Sequence, residues 1–309
     1  MESNSRHKKF WLIIGFVILW NSGFIGAEFG LPYAGIFTFM FYRYLSLTLL
    51  IFAYLSVKKR FQWLDWRYAW PQMLCGILAH GVWLSCVFIA IDYGVPAGIV
   101  ALVVALQPLT TGALSGVVVG EHTPWNRWLG LVIGLAGVAI PVLTRANLND
   151  FSKAYAWFIP LGSVIAITAA SLFQRKISLN KNYPQISVIL SLFYQSLATT
   201  VFVAIPAVLL EKLSVEWNLV FVSSLVWLVI GVSFGAYALM WMLIRLIDAT
   251  KVASLFYLGP PVTMLMAWVA FGDEIRIIDI IGLVLVALGV FLTYFTYSIK
   301  SRRRDSKTS

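Results

Sequence analysis

Apolar runs recur along the chain with little polar interruption, at 10–27, 34–57, 70–91, 96–119, 127–143, 155–174, 186–210, 219–243, 252–271 and 277–298. Each lies near the roughly 20 residues that a helix needs to cross a hydrocarbon core. In lipid a helix also satisfies its own backbone groups, which an isolated strand cannot do. The pattern predicts an all-α integral membrane protein of ten transmembrane helices joined by short loops. Arg6, Lys8 and Lys9 precede the first run in the layout of a signal peptide. That run is longer than a signal core, lacks a small-x-small cleavage site and is followed by nine more, so it is read as a retained span.

Two stretches half a chain apart carry one pattern. The first holds Gln107-Pro108, Gly120-Glu121, Gly130 and Gly137; the second holds Pro260-Pro261, Asp273-Glu274, Gly282 and Gly289. Pro108 to Pro261 and Glu121 to Glu274 are offsets of 153, while Gly130 to Gly282 and Gly137 to Gly289 are offsets of 152. A single-residue slip aligns the copies, which marks an internal repeat.

Lys and Arg alternate strongly between loops. Eighteen fall on the side that holds both termini, four on the other (Arg145, Lys153, Lys212 and Arg276), and Arg43 lies within a span. This imbalance places both termini in the cytoplasm, in a multi-pass protein of the cell membrane. Five spans per copy is an odd number, so the second copy enters the bilayer from the opposite side. The expected organisation is a cytoplasmic tail (1–9), a five-helix repeat (10–143), an external linker (144–154), an inverted five-helix repeat (155–298) and a basic cytoplasmic tail (299–309). Inverted repeats are a recurring architecture of secondary transporters, with substrate near the midplane between the halves.

Composition supports the bilayer and removes other classes. The 309 residues are 60% hydrophobic and 12% charged, with a mean hydropathy of +0.85; soluble domains average roughly 25% charged. The net charge of +10 is spread in short clusters between apolar runs, which reads as topology and not as a nucleic-acid stripe. Cys75 and Cys86 are 11 positions apart on one run, about 16 Å along a helix, so they are expected to be free thiols. The chain has no phosphate-binding glycine loop, no His/Cys metal cluster and no nucleophile elbow. No cofactor is expected, and an ion, proton or substrate gradient is left as the driving force.

The chain resembles the drug/metabolite transporter superfamily, and within it the EamA family. The resemblance rests on Trp20-Asn21-Ser22-Gly23-Phe24, on Tyr42-Arg43-Tyr44-Leu45, on Gln174-Arg175-Lys176 and on the two proline-acid-glycine stretches. It implies a bundle in which spans 1, 3, 4, 6, 8 and 9 border a central cavity while spans 5 and 10 are peripheral. It also implies transport of small metabolites, often amino acids or related compounds.

Candidate chemistry lies on the spans. Pro108 and the Pro260-Pro261 pair, with Gly259 beside it, remove amide donors near the middle of spans 4 and 9; they are candidates for a gate or hinge, with a simple packing kink as the alternative. A charge at membrane depth is costly and usually marks a pathway or a pair. Arg43 therefore either pairs with Glu28 to hold the first hairpin or clamps a substrate carboxylate. His80 is the sole histidine at membrane depth, either a packing residue or a proton-coupling group. Trp20, Asn21, Trp83, Gln107, Tyr237, Trp241 and Tyr257 complete the expected substrate-binding set, with Tyr237 and Trp241 on a face begun by Ser233. Glu121, Asp273 and Glu274 are read as helix-end anchors, and the four-residue glycine spacings of spans 4, 5 and 8 as packing.

The resulting expectation is a carrier, not an enzyme, exporting a small amphipathic metabolite such as an amino acid by alternating access. Uptake of a similar solute is the alternative within transport, and a membrane enzyme acting on a lipid or isoprenoid is the alternative outside it. Proton coupling and a homodimer are left open.

Overall fold

In the computed structural model, residues 2–120, 125–145, 154–236, 239–240, 242–243 and 255–305 are described. Ten apolar helical segments follow one another: α1 (Phe10–Tyr33), α2 (Ile36–Val57), α3 (Trp66–Asp92), α4 (Ala97–Val118), α5 (Trp125–Arg145), α6 (Tyr155–Leu179), α7 (Val188–Leu209), α8 (Leu219–Ala236), α9 (Phe256–Phe271) and α10 (Ile277–Leu292). The first eight are long and apolar enough to cross a membrane; α9 and α10 are shorter over the described residues. The protein is an all-α membrane protein of ten helices, as the periodic apolar runs predict. Tyr237, Trp241 and Glu121 lie outside the described residues.

The inversion of the repeats is visible in how equivalent helices touch. A Cβ added at Gly137 of α5 would meet the Gly282 carbonyl of α10 at 2.8 Å, and one added at Gly289 would meet the Gly130 carbonyl at 2.5 Å. The contact runs from 137 down to 130 as its partner runs from 282 up to 289, so α5 and α10 are antiparallel. Small residues let such backbones approach closely where lipid supplies no hydrophobic drive. Thr48 Oγ1 of α2 and Thr200 Oγ1 of α7 are 3.4 Å apart, again equivalent positions meeting across the pseudo-two-fold axis. The equivalent helices α4 and α9 end alike: Gly120 and Gly272 close them at φ 78° and 75°, a left-handed cap that glycine adopts at little cost.

Two pairs of equivalent spans, α3 with α8 and α4 with α9, carry breaks in their α-helical course. Helix α4 is α-helical over Ala97–Val104 and again over Gln107–Val119, so Pro108 begins a half-helix instead of kinking a continuous one. Helix α9 likewise opens with a 3-10 turn, Phe256–Leu258, before Gly259–Phe271. Proline is favoured at such starts because the amide it lacks would have no partner there. Helix α3 passes into a π-helical turn at Ile77–Val82, and α8 does so at Trp227–Ala236. These irregularities occupy corresponding places in the two repeats, and all four face the centre of the bundle.

Arg145 at the end of α5 forms a buried ion pair with Asp279 in the first turn of α10. Arg145 Nε also donates to Asp279 Oδ1 at 3.0 Å and Nη2 to the Glu274 carbonyl at 2.7 Å, while the Arg276 amide donates to Asp279 Oδ2 at 2.8 Å. Glu274 makes an exposed pair with Arg276. Cys75 is buried and Cys86 half-buried, and both are free thiols.

Candidate functional site

Between the repeats lies a cavity of about 1020 Å³, at the upper end of the roughly 300–1,000 Å³ usual for small-molecule sites. Its walls come from α1 to α4 and α6 to α9. Helices α5 and α10 stay outside it, as the resemblance implies, while α2 and α7 join the lining through Ile51 and Tyr54 and through Leu192 and Gln195. The cavity reaches toward the α2–α3 and α6–α7 loops, since Tyr54, Gln174, Ile186 and Val188 line it. In the opposite half of the bundle the two repeats are tied together by hydrogen bonds. There the Glu216 amide donates to the Tyr33 carbonyl at 2.8 Å, and the Glu211 carboxylate accepts from the Phe37 and Thr38 amides at 3.1 and 2.7 Å. Glu211 thereby caps α2 from the other repeat.

Most residues expected from the sequence converge here. Trp20, Asn21, His80, Trp83, Gln107 and Tyr257 line the cavity, as do Pro108, Gly259 and Pro260 of the two helix breaks. Pro261 follows Pro260 into α9 and is not part of the wall. The wall keeps the repeat's symmetry. His80 and Ser233, Gln107 and Pro260, Val104 and Tyr257, and Asn21 and Gln174 are equivalent positions under the 153-residue offset, and all eight line the cavity.

Local structure explains how these groups are held. Asn21 is 3% exposed; it donates from Nδ2 to the Val17 carbonyl at 2.7 Å and accepts from Thr263 at 3.3 Å, tying α1 to α9. Gln107 donates to Ser171 at 3.4 Å, tying α4 to α6. The Trp20 ring meets Phe256 edge-on at 4.9 Å. At Gly76 a side chain would collide with the backbone of Gln195, so only glycine lets α3 lie directly against α7. The Thr199 hydroxyl donates to the Gly76 carbonyl at 3.0 Å and secures that approach. One turn later the π segment carries His80 to Gln195.

His80 is the inner end of a chain of hydrogen bonds that leaves the cavity. Its Nε2 lies 3.4 Å from Gln195 Oε1; Gln195 Nε2 donates to Gln72 Oε1 at 3.3 Å; Gln72 Nε2 donates to the Tyr183 hydroxyl at 3.1 Å; and Tyr183 donates to the Tyr68 carbonyl at 2.6 Å. A carbonyl can only accept, so the last link sets the direction of every earlier one. Read back to the ring, this order makes Nε2 of His80 the donor to Gln195, so that a neutral ring carries its proton on Nε2 and its acceptor on Nδ1. Burial raises the Tyr183 phenol above its ordinary value, with the Gln72 hydrogen bond acting against it; Tyr183 thus stays a donor.

The expected Glu28–Arg43 pair does not form. No ion pair or hydrogen bond joins them among the described residues, and Glu28 Oε2 and Arg43 Nε are each enclosed without a hydrogen-bond partner. Arg43 lies about 11 Å down α2 from its Ile36 end at 1.5 Å per residue, where its guanidinium instead sits 5.7 Å from the Tyr44 ring. It lines a side chamber of about 70 Å³ that shares Trp20, Phe24, His80, Trp83, Leu192 and Ser233 with the main cavity.

Sequence reasoning missed Gln72, Ser171, Gln195 and Tyr183. A neutral amide in an apolar run carries no charge signal, and Tyr183 sits in a loop; only the meeting of α3, α6 and α7 gives them partners. Among the described residues no three His, Cys, Asp or Glu side chains converge as a metal site.

Relatives give the same architecture a context. A transporter of Bacillus subtilis (strain 168), YvbV, of uncharacterised role, is 24% identical over 91% of this chain and 90% of its own. A protein of Salmonella typhimurium named as a probable amino-acid metabolite efflux pump is 24% identical over 74% of this chain and 80% of its own. One of Streptantibioticus cattleyicolor, named as a probable terminal-alkyne amino-acid exporter, is 26% identical over 97% of both chains. A solved crystal structure superposes with a TM-score of 0.62 at 19% identity, covering 94% of this chain and 97% of its own, and shares the fold. The EamA-like transporter family profile matches residues 7–143 and 154–295, one repeat each, and the chain therefore belongs to the EamA-like transporter family.

Proposed function

We propose that this protein is a secondary carrier that exports a small amphipathic metabolite of the amino-acid type by alternating access. The observation that carries this reading is the cavity itself. Its walls are built from equivalent positions of two inverted repeats, and a rocking of one repeat against the other would close one mouth while opening the second. The mixed lining of aromatic rings, amides and hydroxyls suits a solute with an apolar body and a few polar groups. Naming of relatives as amino-acid metabolite and terminal-alkyne amino-acid exporters supports the same solute class.

The open mouth lies on the face of the α2–α3 and α6–α7 loops, which the Lys and Arg count assigns to the cytoplasm. On that reading the structure is the inward-open state, loaded from the cell interior, in a cell membrane with both termini cytoplasmic. The breaks at Pro108 and at Gly259–Pro260 lie in the wall and are the hinge positions, and His80 is the proton-coupling residue. Uptake is the second reading, supported by a relative from Rickettsia prowazekii named as an S-adenosylmethionine uptake transporter, 23% identical over 65% of this chain.

The test is flux in proteoliposomes of known orientation. Amino acids preloaded on the cytoplasmic side are expected to leave on imposing a proton gradient, and absence of any solute movement across amino acids, nucleosides and cationic drugs sinks the carrier reading. His80→Gln is expected to abolish gradient-driven flux while leaving exchange; loss of both, or of neither, removes its coupling role.

A further inference from the structure

We propose that the small chamber beside Arg43 is the carboxylate subsite of the transported molecule, a specificity pocket branching from the main cavity that holds the rest of it. The inference deepens the carrier reading and rests on it. Arg43 is 7% exposed, and no hydrogen bond or ion pair joins it to any described residue. Its Nε is fully enclosed without a partner, while the chamber of about 70 Å³ lies against it.

An arginine cannot escape this position by losing its proton, because guanidinium stays charged in proteins. A buried charge without a partner is strongly unfavourable, so its retention in a membrane bundle points to a partner supplied from outside. Among the described residues, no Asp or Glu lines either the chamber or the main cavity. Apart from Tyr44, whose ring lies 5.7 Å from the guanidinium, the remaining chamber walls, Gly23, Leu47, Leu84, Val87, Phe88 and Val232, are apolar, which leaves the guanidinium poorly screened and strengthens its pull on an anion.

Size and shape select the ligand group. A cavity needs about 10–15 Å³ to hold a single water, so the chamber of about 70 Å³ has room for a group of a few heavy atoms. A carboxylate fits that volume and matches the planar fork of guanidinium through two parallel hydrogen bonds. Shared walls at Trp20, Phe24, His80, Trp83, Leu192 and Ser233 make the chamber a side branch of the cavity. A molecule can thus place its carboxylate against Arg43 and keep its larger body in the 1020 Å³ space.

The experiment compares acids with isosteric neutral forms in proteoliposomes containing the full chain. The probes are α-amino acids, each beside its amide and its decarboxylated amine, with nucleosides and cationic drugs as controls. In the wild type the acid is expected to compete for exchange about 10- to 100-fold better than the amide, the range of a charge-assisted hydrogen-bonded pair. Arg43→Gln is expected to erase that preference while amide or amine exchange persists, and Arg43→Lys to keep part of it. Equal competition by acid and amide in the wild type overturns the subsite, as does an Arg43→Gln protein that still prefers the acid. If Arg43→Gln does not fold, the wild-type ratio and Arg43→Lys decide alone. Movement of nucleosides or cations without any acid preference removes the subsite but keeps the carrier, whereas no movement of any probe removes the carrier reading itself.

Discussion

His80 Nε2 and Gln195 Oε1 face each other at 3.4 Å across the α3–α7 contact, and the distance is set by glycine. Without Gly76 the α7 backbone could not approach α3, and the ring would lose the amide that orders its tautomer. The pair joins the cavity to a relay that ends at the loop residue Tyr183 and the Tyr68 carbonyl in the first turn of α3.

Tyr183→Phe is the mildest cut in that relay. Gln72 Nε2 then has no hydroxyl to donate to, and the constraint on Gln195 and His80 relaxes. Exchange is expected to slow about 2- to 10-fold, the range of one net hydrogen bond, and the ¹⁵N signals of His80 to shift from one tautomer to a mixture. An unchanged single tautomer would show that the ring is ordered by other contacts.

The Arg145–Asp279 pair locks the end of α5 to the start of α10, with side chains 8% and 2% exposed. Arg145→Met leaves a buried carboxylate, which costs about 3–5 kcal/mol, and the melting temperature in detergent is expected to fall accordingly. Replacing Asp279 by Leu as well is expected to recover most of the loss. The missing part is the helix-capping bond from the Arg276 amide to Asp279, worth about 1 kcal/mol.

Asp273 gives a pH dependence with a definite sign. Burial pushes its carboxyl above the ordinary range, with Arg145 pulling the other way. A carboxyl whose folded pKa is raised contributes stability that is present below its unfolded pKa and lost as pH rises through its folded pKa. Asp273→Asn is therefore expected to flatten the fall of thermal stability with pH, and the gap to the wild type to widen at higher pH. A constant gap across the series would mean that Asp273 does not titrate in that window.

Gly282→Val tests the seam between the repeats. A Cβ at this position collides with the Gly137 carbonyl and lies 2.9 Å from Pro141 Cγ. Overpacking of this kind costs about 1–3 kcal/mol, to be read as a lowered melting temperature. Gly94→Ala, at a turn where a Cβ meets nothing within 4 Å but φ is +83°, separates backbone strain from collision and is expected to cost less.

Pro108→Ala together with Pro260→Ala tests the breaks in α4 and α9. Restoring amide donors favours continuous helices, and exchange is expected to slow while the ligand-induced thermal shift is kept. Unchanged exchange rates would assign the prolines to packing.

The fold was legible because membrane insertion is a one-dimensional problem. Run lengths near 20 apolar residues, the alternation of Lys and Arg, and an odd number of spans per copy are each local counts, and together they require ten helices in inverted repeats. Part of the site was legible for the same reason: His80, Gln107, Asn21 and Tyr257 are polar groups on apolar runs, and the 153-residue offset already pairs His80 with Ser233. What tertiary packing alone decided is the partner of each group. The proximity of Glu28 and Arg43 in the first hairpin suggested a salt bridge, yet helix rotation leaves Glu28 outside the cavity lining and turns Arg43 into its own chamber. Gln72, Gln195 and Tyr183 carry no signal along the chain, and become a relay only because Gly76 lets α3 lie on α7. A sequence states which side chains are costly to bury in lipid; which neighbour relieves that cost depends on helix rotation and π turns, set by contacts between residues more than a hundred positions apart.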